Sequence, residues 1–372
     1  MRYLPSISQT IIHKEDDNII KAIGLLSGGL DSTLAVQLML KQGIEVIVLN
    51  FITPFCTCTK KGCKHDAVRV AKEFGIKIKV IAADEDYIKI IKNPKHGYGK
   101  NMNPCIDCRI FMLKQAKEHM EKTGASFIFT GEVLDQRPMS QRKNVMKIIE
   151  KESGLEGLIL RPLSAQFLEP TIPEKEGLVN REKLLSIKGR SRKPQIKLAE
   201  EFSIKDYPCP AGGCRLTDPQ FARRIKESFE HDEDSINDII LLKYGRHFRL
   251  PDGAKVVVGR NEKENSVIRG LAKENDLLFE VMEYGSPTVL LRNTEQEDDI
   301  NTVSSLCAGY SDGKNEDYLY VKVWSKKASE SKIPSSFIAQ LGHNFLCDKK
   351  GQDRIIQCIP MEDRQIKMLM VR

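Results

Sequence analysis

Short apolar runs alternate with amphipathic stretches along the first half of the chain. The first run, residues 19–26, has the length and composition of a buried strand, and Ser27-Gly28-Gly29 interrupts it. An amphipathic helical pattern then begins at Asp31. Further strands are predicted at residues 44–50, 76–82, 126–131 and 158–160, with helices near 66–74, 106–122 and 144–152. Alternating strands and helices predict a doubly wound α/β fold with a parallel sheet.

The second half of the chain has the pattern of a smaller α+β domain. A helix is predicted over residues 218–230, with Asp218 as its N-cap and Pro219 at its first position. Strands follow at residues 255–259, 277–282, 288–292 and 318–324, and helices at 262–274 and 300–308. We therefore predict an α/β domain at 1–180, a basic and cysteine-containing linker region at 181–243, and an α+β domain at 244–372.

The junction of the first strand and the first helix predicts an anion-binding site. The loop Ser27–Ser32, which we call the glycine loop, lets backbone N–H groups approach a phosphate, and the following helix start adds partial positive charge. The alternative is an ordinary tight turn between a strand and a helix. Asn50 and Gly131 also fall at strand ends, which face one crevice in such sheets. The candidate phosphate-binding residues are Ser27, Gly28, Gly29, Leu30, Asp31, Ser32, Asn50 and Gly131.

Composition adds a mildly basic character to this fold. Hydrophobic residues make up 41% of the 372 residues, and the net charge is +7, which suits a polyanionic partner. One segment concentrates this charge, and its candidate phosphate-contacting residues are Lys183, Lys188, Arg190, Arg192 and Lys193. The alternative is a solvated basic face. Because we find neither an apolar run of membrane-spanning length nor a signal peptide, we expect a cytoplasmic protein without membrane contact.

Ten cysteines in a chain of this kind favour metal or catalytic thiols over disulfides. Cys105 and Cys108 form a CxxC pair at a predicted helix start, a position that favours thiolates and turns both toward one ligand. A pair cannot complete a tetrahedral metal site, so further ligands must come from elsewhere. The candidates are Cys209 and Cys214, or the group Cys56, Cys58 and Cys63. The alternative is a structural zinc site or an unligated pair.

The combination of SGGLDS at the glycine loop, NPCxxCR around Cys105 and a distant Cys214 resembles the PP-loop tRNA thiolases. These are enzymes of the 2-thiouridylase and 4-thiouridine synthase kind. The resemblance implies an ATP-dependent tRNA sulfurtransferase that adenylates a pyrimidine carbonyl, replaces the oxygen with sulfur, and releases AMP and pyrophosphate. It further implies that Asp31 orients Mg²⁺.

The same resemblance implies roles for the cysteines. In this family cysteines carry sulfur as a persulfide, and in a subset three cysteines instead hold a four-iron four-sulfur cluster. Carried over to this sequence, the triad is Cys105, Cys108 and Cys214, with Cys209 as the alternative third member. The implied catalytic residues are Asp31, Cys105, Cys108 and Cys214. Whether the thiols hold a cluster or a persulfide stays open at this point.

The C-terminal part resembles the NFACT-R domain, which implies RNA binding. The residues concerned include Val258-Gly259-Arg260-Asn261, Gly285-Ser286 and Val321-Lys322-Val323. We find no rhodanese-like tail, so we expect an external sulfur donor: a desulfurase, a carrier or sulfide. Two alternatives remain. One is an amidating ligase that uses the same loop, and the other is an RNA- or ribosome-associated binding protein with a regulatory ATP site.

Overall fold

The computed structural model describes residues 19–56, 63–207, 214–325 and 353–371. These residues form two compact units. The described part of the first unit comprises residues 19–56, 63–83, 94–99 and 104–207. The second comprises residues 84–93, 100–103, 214–325 and 353–371. Each unit has its own sheet and its own hydrophobic core.

The first unit is built on a five-stranded parallel sheet. In chain order its strands are β1 (Lys21–Leu25), β2 (Glu45–Ile52), β3 (Lys77–Ala82), β4 (Phe127–Thr130) and β5 (Ile159–Leu160). Their order across the sheet is β3-β2-β1-β4-β5. Leu25, at the end of β1, pairs with Leu49 of β2 and with Thr130 of β4. The carboxyl ends of the three central strands therefore meet at one edge, where α/β sheets bind ligands.

Helices cover both faces of this sheet. The helices as far as residue 201 are, in chain order, α1 (Leu30–Leu40), α2 (Cys63–Glu73), α3 (Glu85–Lys92), α4 (Cys105–Thr123), α5 (Lys143–Ser153), α6 (Ile172–Lys175) and α7 (Lys193–Glu201). Among them, α3 belongs to the second unit. One hydrophobic core joins the sheet to α1, α2 and α7, and another joins it to α4 and α5. These layers confirm the predicted doubly wound α/β fold, although the sequence did not predict α3.

The second unit contains a six-stranded antiparallel sheet. Its strands are β6 (Arg246–Arg249), β7 (Lys255–Val258), β8 (Leu277–Val281), β9 (Val289–Arg292), β10 (Leu319–Ser325) and β11 (Arg354–Cys358), in the order β11-β10-β8-β9-β7-β6. The helices are α8 (Pro219–Glu230), α9 (Ile236–Leu241), α10 (Glu262–Leu271), α11 (Glu297–Gly309) and α12 (Asp363–Leu369). This arrangement confirms the predicted α+β class, and α9, β6, β11 and α12 are additions that the sequence did not predict.

Buried ion pairs fasten α8 and α9 to this second sheet. Arg292, at the end of β9, contacts both Asp276 and Asp238, and Asp238 lies on α9. Lys255 of β7 lies 2.6 Å from Glu233, in the turn that joins α8 to α9. Residues 214–243, which the sequence assigns to a linker, thus pack as part of the second unit. No helix among the described residues is both long and apolar enough to cross a membrane.

Candidate active site

The glycine loop leads directly from β1 into α1 at the ligand-binding edge of the first sheet. The hydroxyls of the loop fold back onto its own backbone: Ser32 Oγ accepts from Ser27 N (3.3 Å) and donates to Gly29 O (2.9 Å), and Thr33 Oγ1 donates to the same carbonyl (3.0 Å). Gly29 is the N-cap of α1 and has no side chain to cap it. The first N–H groups of α1 are therefore available to an anion such as a phosphate.

Two of the predicted glycines are required by close backbone approaches. Gly28 has φ +77°, and a Cβ at this position would lie 2.6 Å from Asp66 Cβ and 2.7 Å from Ala67 N. A Cβ at Gly131 would lie 2.5 Å from Ser32 N. Gly131 therefore lets the end of β4 pack against the first turn of α1. By contrast, a Cβ at Gly29 would meet only Ser27 Oγ, at 3.4 Å.

Asp31 and Asn50 present oxygen atoms that have no hydrogen-bond partner. Asn50 is buried at the end of β2, where its Nδ2 donates to Leu26 O (2.8 Å) and its Oδ1 is unpartnered. Asp31 Oδ1 is buried and unpartnered as well. Burial raises the pKa of Asp31, and the Gln136 side chain and Arg192 oppose this effect. A carboxylate oxygen of this kind suits Mg²⁺, which prefers oxygen ligands.

A buried ion-pair network lies directly beside the glycine loop. Glu132 follows Gly131 and is 3% exposed, with Arg109 Nε 3.0 Å from its Oε1 and Arg161 Nε 3.1 Å from its Oε2. Arg161 also contacts Glu150 of α5. Burial raises the pKa of Glu132, but the charges of Arg109 and Arg161 outweigh it and hold the pKa below the ordinary range. Glu132 is thus an anion that two arginines keep charged.

The CxxC pair occupies the first turn of α4, one residue before Arg109. Pro104 is the N-cap of this helix and makes no side-chain cap, and Cys108 N donates to Pro104 O (2.9 Å). Between the two cysteines, Asp107 is buried and accepts hydrogen bonds from Lys95 N and His96 N, both at 3.1 Å. Asp107 therefore anchors the helix start to residues 95–96, while both cysteines stay half-buried.

The predicted cysteine triad is divided between the two units. Cys105 and Cys108 lie in the first unit and Cys214 lies in the second, where it precedes a short 3₁₀ turn. Cys209 and Cys58 lie outside the described residues, and Cys56 is disulfide-bonded. Within the described ranges, no group of three or more His, Cys, Asp or Glu side chains could hold a metal ion. The described residues alone thus provide a thiol pair but no complete cluster site.

The five predicted phosphate-contacting residues have different surroundings in the first unit. Lys183 ends an exposed 3₁₀ turn, Lys188 lies over the Phe167 ring at 4.6 Å, and Lys193 begins α7. Arg190 lines a cleft of about 430 Å³, whose other lining residues are Asp135, Pro138, Arg142, Lys143 and Asn144. Arg192 is half-buried and acts on the charge of Asp31. The five side chains thus face solvent, a basic cleft or the glycine loop.

Sequence reasoning missed several polar residues around this site. Arg109 was noted only as the last residue of NPCxxCR, and none of Arg109, Glu132 and Arg161 was predicted as a site residue, because their ion pairs join segments that are distant in the sequence. Gln136 and Gln195, which face Asp31, were not singled out. Nothing in their residue types marks them, because glutamine is common on helix surfaces, and Gln195 occurs in an otherwise ordinary helical pattern.

Family comparisons agree with both halves of the chain. Residues 19–169 match the family model described as thiamine biosynthesis protein (ThiI), and residues 245–340 match the model described as NFACT protein RNA binding domain. These matches confirm the two resemblances that the motifs predicted. They cover the first sheet with the glycine loop and CxxC helix, and most of the second sheet.

Curated relatives match only part of this chain. The tRNA-specific 2-thiouridylase MnmA of Leptospira interrogans is 32% identical over 127 residues, which are 30% of this chain and 33% of the relative. A "Probable tRNA sulfurtransferase" of Thermococcus kodakarensis is 31% identical over 143 residues, 38% of this chain and 36% of the relative. The chain thus spans about a third of the length of these relatives.

A solved structure with partial similarity is that of the U34-tRNA thiolase NcsA from Methanococcus maripaludis with its [4Fe-4S] cluster. It is 20% identical, and the match covers 61% of this chain and 73% of NcsA, with a TM-score of 0.32. At this TM-score the similarity carries no argument about the site.

Proposed function

We propose that this protein is an ATP-dependent tRNA sulfurtransferase, which adenylates a pyrimidine carbonyl and replaces its oxygen with sulfur while AMP and pyrophosphate are released. One observation carries the proposal. The Arg109–Glu132 ion pair joins the residue after the CxxC pair to the residue after Gly131, which packs on the glycine loop. Thiols and a phosphate-binding loop are thereby fixed to one edge of one sheet.

The glycine loop performs the first half of the reaction. The open N–H groups at the start of α1 hold phosphate oxygens of ATP, and the position of the loop sets the α-phosphate for in-line attack by the carbonyl oxygen. Asp31 would hold Mg²⁺ through its unpartnered oxygen, and that ion would neutralise charge on the leaving pyrophosphate. Rate enhancement then comes from positioning and fixed charge.

The cysteines perform the second half. Sulfur carried on Cys105, Cys108 or Cys214 attacks the adenylated carbon, a C–S bond forms, and AMP leaves with the original oxygen. If the sulfur is the outer atom of a persulfide, a second cysteine closes a disulfide with the first, and an external thiol must then reduce that disulfide. A cluster on Cys105, Cys108 and Cys214 or Cys209 is the alternative.

The RNA substrate is proposed to be tRNA, held by both units. In the first unit, Lys183, Lys188, Arg190 and Lys193 offer exposed charge to backbone phosphates. The second unit supports RNA binding through its match to an RNA-binding domain. We further propose a cytoplasmic location, where its substrate tRNA is found, and an external sulfur donor.

A second candidate function is an RNA-binding protein whose ATP site only regulates binding. The match of residues 245–340 to an RNA-binding family favours it. An experiment can distinguish the two functions, because only a catalyst changes the nucleosides of the RNA.

The proposed function is tested with purified protein, tRNA, ATP, Mg²⁺, a cysteine desulfurase with cysteine as the source of persulfide sulfur, and a thiol reductant that reopens the disulfide after each turnover. The expected result is tRNA-dependent formation of AMP and pyrophosphate together with sulfur incorporation into the RNA. Asp31→Ala is expected to abolish pyrophosphate release, while Cys105→Ser is expected to abolish sulfur incorporation and leave adenylation measurable. Tight RNA binding without any pyrophosphate release would instead establish the binding protein.

A further inference from the structure

Two arginines of the second unit meet at the start of α8. Asp218 caps this helix by accepting from Phe221 N (2.8 Å), and Asp218 N donates to Arg215 O (2.9 Å). The central carbon of the Arg215 guanidinium lies 5.7 Å from the centroid of the Phe221 ring. Residues three apart are neighbours on the surface of a helix, so Phe221 and Arg224 are adjacent. Arg215 is therefore held next to Arg224.

The turn after α9 brings a lysine to the same place. Arg224 Nη1 donates to Leu242 O (3.1 Å), so its guanidinium is held against the residue that precedes Lys243. Leu242 is buried, whereas Lys243 is half-buried. This hydrogen bond fixes α8 against the turn and makes Arg224 and Lys243 neighbours.

A fourth cation reaches this turn from the loop after β7. Gly245 N donates to Glu264 Oε2 (3.1 Å), and Arg260 Nε donates to the same oxygen (2.8 Å). Glu264 therefore ties Arg260 to the turn that contains Lys243. We use the name α8 patch for these four cations, which are Arg215, Arg224, Lys243 and Arg260.

The α8 patch carries more positive charge than its neighbours neutralise. Arg260 is paired with Glu264, but among the described residues no carboxylate forms an ion pair with Arg215, Arg224 or Lys243. Arg215 Nε is buried and has no hydrogen-bond partner in the same part of the chain. Burial and the charge of Arg260 lower the pKa of Arg224, and burial and the charge of Arg215 lower the pKa of Lys243. Half-buried cations that repel one another destabilise a fold, and a bound anion relieves this cost.

We propose that the α8 patch binds the sugar-phosphate backbone of RNA, through contacts to phosphates that do not depend on the base sequence. Arginine and lysine are frequent partners of backbone phosphates in nucleic-acid complexes. The occupant is assigned to RNA because the adjoining residues 245–340 match an RNA-binding family, and Arg215, Arg224 and Lys243 precede that match. The proposal rests on the RNA substrate of the proposed function. It extends the RNA-binding surface into a region that the sequence assigns to a linker.

Helix α8 also offers a matched control. Lys226 lies two positions after Arg224, which places it about 200° around the helix axis. Its side chain is 69% exposed, and its Nζ lies 3.9 Å from Glu230. Lys226 and Lys243 thus carry the same charge in one unit, but only Lys243 belongs to the α8 patch. If the positive charge of this unit attracted RNA without a defined site, the two lysines would contribute equally.

The test is binding of unfractionated tRNA to the full chain over a series of salt concentrations. Lys243→Gln is expected to weaken binding by about fivefold and to reduce the slope of log K against log salt by about 0.7–0.9, the change for one lost phosphate contact. Lys226→Gln is expected to alter the affinity by less than about twofold and to leave the slope unchanged. Equal effects of the two variants, or an unchanged slope in Lys243→Gln, would overturn the proposal.

Two further variants separate the charge of the patch from its packing. Arg215→Leu keeps a side chain over Phe221 and removes a buried unpartnered donor, so it is expected to weaken tRNA binding by about fivefold without lowering the melting temperature. Lys243→Arg keeps the charge and is expected to bind tRNA within about twofold of wild type. A loss of binding in Lys243→Arg as large as in Lys243→Gln would show a structural role and contradict the proposal.

The outcomes also distinguish this proposal from the proposed function. If the wild-type chain binds tRNA through the α8 patch but thiolates no nucleoside, only the proposed function fails. If the chain thiolates tRNA and every patch variant binds tRNA as wild type does, only the proposal of the α8 patch fails.

Discussion

At the scale of single residues, burial disfavours the charged form of the Asp31 carboxylate. Its pKa is raised by that burial, against the opposing effects of Gln136 and of Arg192. Because the folded-state pKa lies above the unfolded one, the ionised carboxylate destabilises the fold at neutral pH. This destabilisation is relieved as the pH falls through the raised pKa of the folded state, because the carboxylate then becomes protonated. A bound cation would reverse this balance, because it stabilises the charged form.

We therefore predict that Asp31→Asn raises the stability of the protein and lowers its activity. Asparagine carries no charge to desolvate, so the variant is expected to melt at a higher temperature than wild type at pH 7.5, with a smaller difference at pH 4.5. Pyrophosphate release is expected to fall by about a hundredfold or more, because Mg²⁺ loses its carboxylate. Thermal unfolding at the two pH values checks this. A variant that melts lower than wild type at both would show that the Asp31 charge is structurally satisfied.

Glu132 presents the opposite situation, because two arginines hold its pKa below the ordinary range despite its burial. It therefore contributes stability above the unfolded glutamate pKa, and this contribution is lost as the pH falls through the lowered folded value. Glu132→Gln leaves Arg161 buried with Glu150 as its remaining partner.

We predict a cost of roughly 3–5 kcal/mol for Glu132→Gln at pH 7, measured by denaturant unfolding. Glu150→Gln is the matched control: its side chain is 18% exposed against 3% for Glu132, and we expect it to cost less than half as much. The cost of Glu132→Gln is also expected to shrink at acid pH. Equal costs for both variants would mean that Glu132 does not organise the network.

At this scale the sequence identified the residues of the loop but not their partners. Ser27, Asp31 and Asn50 were predicted because strand, loop and helix occur in a recognisable order. The Arg109–Glu132 and Arg161–Glu132 pairs join positions 23 and 29 apart, and no local pattern specifies such pairings. Gln195 was missed for the same reason, because its burial depends on how α7 packs against the core that contains α1.

At the scale of elements, strongly periodic segments were predicted well and short ones were missed. All five strands of the first sheet coincide with predicted apolar runs. Strand β6 reads RHFR, too polar to predict, and Arg249 forms ion pairs with Glu227 and Glu233 instead of solvent contacts. Helix α3 escaped prediction because it spans only eight residues, although Asp84 caps it by accepting from Tyr87 N.

The two glycines of the glycine loop offer a test at this scale. Gly28→Ala introduces a Cβ at positive φ and against the backbone of α2, so we predict a loss of about 1–3 kcal/mol or more and a displaced loop. Gly29→Ala meets only a hydroxyl at 3.4 Å, so the fold is expected to tolerate it within about 1 kcal/mol. Thermal unfolding and ATP titration of both variants check this. Equal destabilisation would contradict the described loop geometry.

At the scale of the whole molecule, the second unit includes helices that precede the domain start expected from the composition. The sequence placed a domain start near residue 244, because the linker region carries the basic residues and cysteines. Helices α8 and α9 nonetheless belong to the second unit, and Asp238 of α9 pairs with the buried Arg292. Charged partners 54 residues apart carry no local signal, so the boundary could not be placed from the sequence.

This assignment predicts a local response to Asp238→Asn. The variant leaves Arg292 with Asp276 as its remaining ionic partner, so we expect a loss of roughly 3 kcal/mol in the second unit. Lys273→Met removes only an exposed partner of Asp238, and it is expected to cost about 1 kcal/mol or less. Hydrogen exchange by mass spectrometry should show faster exchange in peptides of the second unit alone. Equal acceleration in β1 and β4 would contradict two separately stabilised units.

If this chain places sulfur on a tRNA base, its activity shows in the thionucleoside content of total tRNA. Digestion and mass spectrometry would compare cells with and without the gene, and deleted cells that carry wild type or Cys105→Ser. We predict that one thiolated nucleoside disappears on deletion, returns with wild type and stays absent with Cys105→Ser. An unchanged thionucleoside profile after deletion would contradict it.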